Sequence, residues 1–136
     1  MSYDDVANEF VRLTFQAAKE AADAEGDEWL ENAMPKFRVF QTDIFGTRIS
    51  PPEQDSFLLD VCGGAYLQVK DKRSKAYRLL KKAGVICKYG EERTVDVQYK
   101  HRSRQERGLH IVCCQAFWAV LRESGFDGII LKSYID

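Results

Sequence analysis

Two helical stripes, each followed by a glycine and then an apolar strand-like run, restrict the second half of this chain to a sheet with helices laid on it. The first stripe is Ala76, Leu79, Leu80 and Ala83, with Ser74 as its N-cap and Gly84 at its end. The second is Leu109, Val112, Cys113, Ala116, Phe117, Val120 and Leu121, ended by Gly125. The runs that follow are Val85 to Tyr89 and Gly128 to Ile135. Two hairpins complete the pattern. One joins Ser56–Cys62 to Ala65–Lys70 over a Gly63-Gly64 turn, and the other joins Val85–Tyr89 to Thr94–Lys100 around Gly90 to Arg93. Residues 101–108 form a polar, basic connection.

The first half begins with an amphipathic helix over 3–24, capped by Ser2. Its spacing puts Val6, Phe10, Leu13, Ala17 and Ala21 inward, with Val11 and Phe15 widening the face. Gly26 is expected to end this helix. Asp27 then caps a short helix over 28–33, which stops at Pro35, and Lys36 to Thr42 reads as a strand. Gly46 and Pro51-Pro52 mark 46–55 as a loop and the best hinge. The chain of 136 residues has room for one domain. The expected class is α+β: a single domain over 1–136, with an acidic helical segment 1–35 and a sheet-and-helix body 36–136. Its sheet is mixed or mainly antiparallel, with about three helices packed on it. A faint echo between Gln68–Ser74 and Gln98–Ser103, each leading into a helix, a glycine and a strand, would suit a duplicated unit.

The net charge of −1 hides a division. Residues 1–60 carry −8 and the remainder +7, with the positive excess lying between Lys70 and Arg107. Such asymmetry points to nucleic acid or an acidic partner. It also fits an acidic helix lying beside basic elements. No apolar run reaches 18 residues, so no membrane span is expected. The start Ser2-Tyr3-Asp4-Asp5 lacks a basic, then apolar, leader, so a cytoplasmic location is expected.

Chemistry-bearing motifs are few. Cys62, Cys87, Cys113 and Cys114 show no metal-binding or redox spacing, and His101 and His110 have no partner at ligand spacing. Buried reduced thiols account for the cysteines. Cys114 one helical turn from His110 is a candidate nucleophile–base pair. Gly63-Gly64 lacks the lysine and hydroxyl of a phosphate loop.

Asp60, followed seven residues later by Gln68-Val69-Lys70, resembles the core of the PD-(D/E)xK nucleases. The resemblance implies a divalent metal, Mg²⁺, held by the acid, with the lysine steadying the attacking water or the phosphate. Gln68 stands where that pattern usually has a second acid. A two-residue turn at Gly63-Gly64 would put Asp60 on the face opposite Gln68 and Lys70, and a three-residue bulged loop would bring them together.

The leading expectation is a small non-catalytic binding or regulatory protein without a cofactor. It would dock through Lys72, Arg73, Lys75, Arg78, Lys82, Lys100, Arg102, Arg104 and Arg107 onto nucleic acid or an acidic protein. Tyr66, Tyr89 and Tyr99 could add stacking, and the acidic first helix would form a second, independent surface. By analogy, such domains include inhibitors of nucleic-acid enzymes carried by phages and mobile elements. The alternative is the metal-dependent nuclease using Asp60, Gln68 and Lys70, or an inactive relative of it.

Overall fold

A computed structural model describes the backbone of residues 3–43 and 62–135 and the side chains of residues 5–32 and 62–135. Ser74 caps its helix as expected, accepting a hydrogen bond from the Tyr77 N–H. The elements in chain order are α1 (Tyr3–Asp43), β1 (Gly63–Val69), α2 (Lys75–Lys82), β2 (Ile86–Tyr89), β3 (Glu92–Val95), α3 (Arg107–Glu123) and β4 (Ile129–Ile135). The four strands form one antiparallel sheet in the order β2-β3-β1-β4. From β1 to β4 the order βαββαβ is that of a split βαβ, ferredoxin-like arrangement. The expected α+β class with three helices is therefore the observed one.

The sheet buries one face. Ala65, Leu67 and Val69 of β1 lie in register with Ser133, Leu131 and Ile129 of β4, and together they meet α3. Trp118 of α3 donates to the Ile129 carbonyl, and Arg107 donates to the Ser133 hydroxyl. α3 lies between this face and α1, so it buries residues on two sides: Leu109, His110, Cys113, Cys114, Phe117 and Leu121. α1 also touches α2, so all three helices lie on one side of the sheet.

Several sequence expectations are corrected. Gly26 does not end the first helix, Asp27 does not cap a second one, and Pro35 does not stop it. α1 runs unbroken through 36–42, where a strand was expected, and across the expected 35/36 boundary. A short apolar run carries no period that separates strand from helix. At Gly26 the reason is packing. The residue is buried, and a Cβ there would lie 2.8 Å from Cys113 Sγ and 2.9 Å from His101 Cδ2. With Ala18 and Ala22 it lets the backbone of α1 approach α3 closely. That contact offsets the roughly 1 kcal/mol helix penalty of glycine.

The same small residues change which face of α1 is buried. Val11, Thr14, Ala18 and Ala22 point inward, and Phe15 packs edge-on against Phe117. The expected inward residues Val6, Phe10 and Leu13 are about half exposed, although Phe10 stacks on Phe126.

Gly63-Gly64 is not a turn. Both glycines lie inside β1, opposite Ile135 and Tyr134. Residues 46–55, Asp60 and the expected strand 56–61 lie outside the described residues. The second hairpin forms with different bounds. Its turn is Gly90-Glu91 rather than 90–93, and Tyr89 pairs with Glu92. Its second strand is Glu92–Val95, so the expected strand does not run on to Lys100. Gly90 has φ +62°, a conformation natural to glycine.

Candidate functional site: a cleft where the sheet divides

β1 and β3 share a single register pair, Gln68 with Thr94. At the other end of β1, Cys62 bridges to Glu106, and the Gly63 N–H donates to the Gln105 carbonyl. Between these two points the chain over 96–105 stands away from β1 and a cleft opens. It has a volume of about 500 Å³. Gly64, Ala65 and Tyr66 line one side, Thr94 to Val97 and Tyr99 the other, and Arg102, Arg104 and Gln105 one end. Cys87, Tyr89, Glu92 and Tyr134 lie along its outer rim, on or beside the sheet face away from the helices.

The deep part of the cleft is a closed hydrogen-bond chain. His110 is buried, and its Nε2 lies 2.6 Å from the Arg104 carbonyl, which can only accept. Nε2 therefore carries the proton, and Nδ1 accepts from the Tyr99 hydroxyl at 2.5 Å. Both imidazole nitrogens are occupied. Cys114 donates to the Ala65 carbonyl at 3.6 Å, on an edge of β1 that no described strand covers there. Burial pushes the Cys114 thiol up to about 11 and the Cys113 thiol up to about 12. The expected Cys114–His110 pair is close in space, but Tyr99 stands between them and the thiol stays protonated at neutral pH. Alkylation by iodoacetamide at pH 8 should therefore modify Cys62 and Cys87, which are partly exposed, within minutes. Cys113 and Cys114 should react only in denaturant, as peptide mass mapping would read.

The walls are held by ion pairs. Glu106 is 2% exposed, and Arg104 grips its carboxylate with two bonds of 3.0 and 2.7 Å. Lys100 and His101 tie the loop to α1. The Lys100 N–H donates to Asp23, while Asp27 accepts from the Lys100 ammonium at 2.8 Å and lies 2.6 Å from His101 Nε2. Hydrogen bonds from Lys100 and His101 hold the Asp27 carboxyl below its usual range. Burial alone would raise Asp23, but the Lys100 N–H and the Lys19 ammonium outweigh it and hold that carboxyl low as well. The acidic helix is thus not an independent surface. It is fastened to the basic loop, so part of the charge division is satisfied within the chain.

The expected basic residues divide accordingly. Lys100, Arg104 and Arg107 are engaged in the structure, Arg107 through Ser133. Arg102 is more than half exposed and only loosely paired, with its Nη1 3.8 Å from Asp96. Lys72 donates to the Glu91 carbonyl, linking the β1–α2 turn to the β2–β3 turn. Arg73, Lys75, Arg78 and Lys82 are exposed on that turn and on α2. Lys72 and Arg73 follow the C-terminal end of β1, whereas loop 100–107 joins its N-terminal end. Seven strand residues, about 20 Å, separate them, so they do not form one compact site.

The proposed nuclease residues are placed in part. Gln68 lies on the open face and donates to Glu92 at 3.3 Å, leaving its own carbonyl oxygen buried without a described partner. Lys70 follows β1 and is exposed. Asp60 lies outside the described residues, and the turn geometry that would have set its face does not exist. Among the described residues no group of three or more His, Cys, Asp and Glu could hold a metal. No described helix is long and apolar enough to cross a membrane.

Sequence reasoning missed Tyr134 and Glu92 as site residues. Alternation along β4 could have put Tyr134 on the face opposite Leu131, but nothing local showed that no described element covers this face. Compared with known protein families, curated proteins and solved structures, the chain matches none.

Proposed function

We propose that this protein binds single-stranded nucleic acid across the open face of its sheet. The observation that carries this reading is the set of tyrosines on that face. Tyr66 on β1, Tyr89 on β2 and Tyr134 on β4 all point away from the helices, and Tyr89 and Tyr134 are 65% and 49% exposed. The Tyr66 and Tyr134 rings lie 6.4 Å apart. Large rings left in water on a flat surface are costly unless they meet a partner, and unpaired bases are suited to them. Four-stranded antiparallel sheets carrying aromatic rings are one recurrent platform for stacking single-stranded bases. Lys132, in register with Tyr66, and Arg102 at the cleft end supply positive charge near the rings.

Fluorescence anisotropy with a labelled single-stranded 12-mer tests the reading. Changing Tyr66, Tyr89 and Tyr134 together to Leu keeps apolar bulk but removes the stacking rings. Each stacked base contributes about 1–3 kcal/mol, so the triple variant should bind at least 100-fold more weakly while keeping its circular dichroism. With two cations near the face, log affinity should fall against log salt with a slope of about −1.5. Equal binding by the triple variant, or a preference for duplex, would overturn the proposal.

A further inference from the structure

The cleft differs from the flat face beside it in being concave and polar on several sides. Its volume of about 500 Å³ suits one small ligand rather than a strand. Its groups match the parts of a nucleotide. Tyr66 and Tyr134 stand at the rim, where a base turned inward would meet their rings. Arg102 is the most exposed guanidinium in the lining, and its 3.8 Å separation from Asp96 is too long to be a firm hydrogen bond. Two carboxylates, Glu92 and Asp96, complete the lining. Among the described contacts, Glu92 uses only Oε1, toward Gln68, and Asp96 uses only Oδ1, toward Gln98 and Arg102. One oxygen of each remains to accept a hydrogen bond.

We propose that this cleft takes a single unstacked nucleotide and selects bases that carry an exocyclic amine. The inference rests on the single-strand reading above and names the chemistry of its specificity. Ionised carboxylates only accept hydrogen bonds. Adenine, cytosine and guanine each present an amine that can donate to Glu92 or Asp96, as carboxylates do with the cytosine amine. Uracil has no amine: its single edge donor, the N3–H, lies between two carbonyl oxygens, which would face the carboxylates unfavourably. Arg102 would hold the phosphate of the same nucleotide, and Arg104 stays committed to Glu106.

Two measurements on the full chain test this. The first is the affinity for C8 and A8 against U8 RNA by anisotropy, where the amine-bearing oligomers should bind about tenfold more tightly. The double variant Glu92→Gln and Asp96→Asn replaces one acceptor oxygen of each carboxylate with an amide donor and removes both charges, so it should shrink or reverse the preference. The second uses Cys87, which lines the cleft, in a Cys62→Ser background. Millimolar AMP or CMP should slow alkylation of Cys87 several-fold, and UMP should do so less. Equal binding of all three oligomers, with no protection of Cys87, would overturn the cleft proposal and leave the sheet-face reading standing. Protection by AMP and CMP without oligomer binding would support the cleft and overturn the strand reading. No binding and no protection would overturn both.

Discussion

Arg104→Ala should lower the melting temperature by about 10 °C, whereas Arg102→Ala should leave it almost unchanged. The two arginines sit two residues apart in one basic loop, but their surroundings differ. Arg104 holds the carboxylate of Glu106 with two bonds, and Glu106 is almost wholly buried. Removing the guanidinium leaves a buried negative charge without its counter-ion, which costs about 3 kcal/mol. For a chain of this length that loss corresponds to roughly 10 °C. A shift of the loop would spread further, because the Arg104 carbonyl accepts the hydrogen bond from His110 and Glu106 is the N-cap of α3. Arg102 is more than half exposed and makes only a loose pair. Thermal melts followed by circular dichroism would compare the two. The double variant Arg104→Ala and Glu106→Ala should recover part of the loss, since neither partner is then stranded. If Arg104→Ala melts like Arg102→Ala, the pair does not hold the loop. Blanket replacement of the basic loop by alanine would therefore confuse unfolding with lost binding, and Arg102 is the position that separates them.

Gly63→Val should be as damaging, by a different route. A Cβ at Gly63 would lie 2.1 Å from the backbone oxygen of Tyr134, and a backbone atom cannot swing aside as a side-chain tip can. The β1–β4 pair would have to separate at its Gly63–Ile135 end, where β1 also joins Gln105 and forms the cleft rim. The expected cost is about 3 kcal/mol or more, read as a shift in the urea midpoint. Gly84→Ala is the control. Gly84 has φ +80°, and nothing lies within 4 Å of an added Cβ, so only backbone strain of about 1 kcal/mol applies. Equal midpoints for the two variants would mean that the close approach at Gly63 is not needed for pairing.

Much of the fold was legible in the residues. The stripes at 76–83 and 109–121 gave α2 and α3 to within a few positions, and Ser74, Gly84 and Gly125 marked their ends. The hairpin around Gly90 and the final strand were also legible. These features are local, because caps, turn glycines and short periodicities act within a few residues. The errors came where distant contacts override local preference. Gly26 reads as a helix stop until Cys113 and Leu109 are seen to need its missing side chain. Gly63-Gly64 reads as a turn until Tyr134 is seen to occupy the space above it. Val6, Phe10 and Leu13 have helical spacing, yet Ala18 and Ala22 bring α1 nearest to α3 and turn that stripe outward.

The candidate site was less legible than the fold, and for a related reason. Tyr66, Tyr89 and Arg102 could be singled out by residue type, but nothing in the chain order joins them to Glu92, Asp96 and Tyr134. What the sequence determined by itself was the class: an α+β chain with two capped helices, short strands and opposite charge in its two halves. Local periodicity and composition are enough for that. The tertiary structure decided which charges are spent. Asp23 and Asp27 satisfy Lys100 and His101, Glu106 satisfies Arg104, and Arg102 is left with only a loose pair. It also decided that β1 and β3 part after one register pair, opening a cleft beside a row of tyrosines. Both outcomes depend on residues far apart in sequence arriving within a few ångströms, where hydrogen bonds and close packing outweigh what any short stretch prefers.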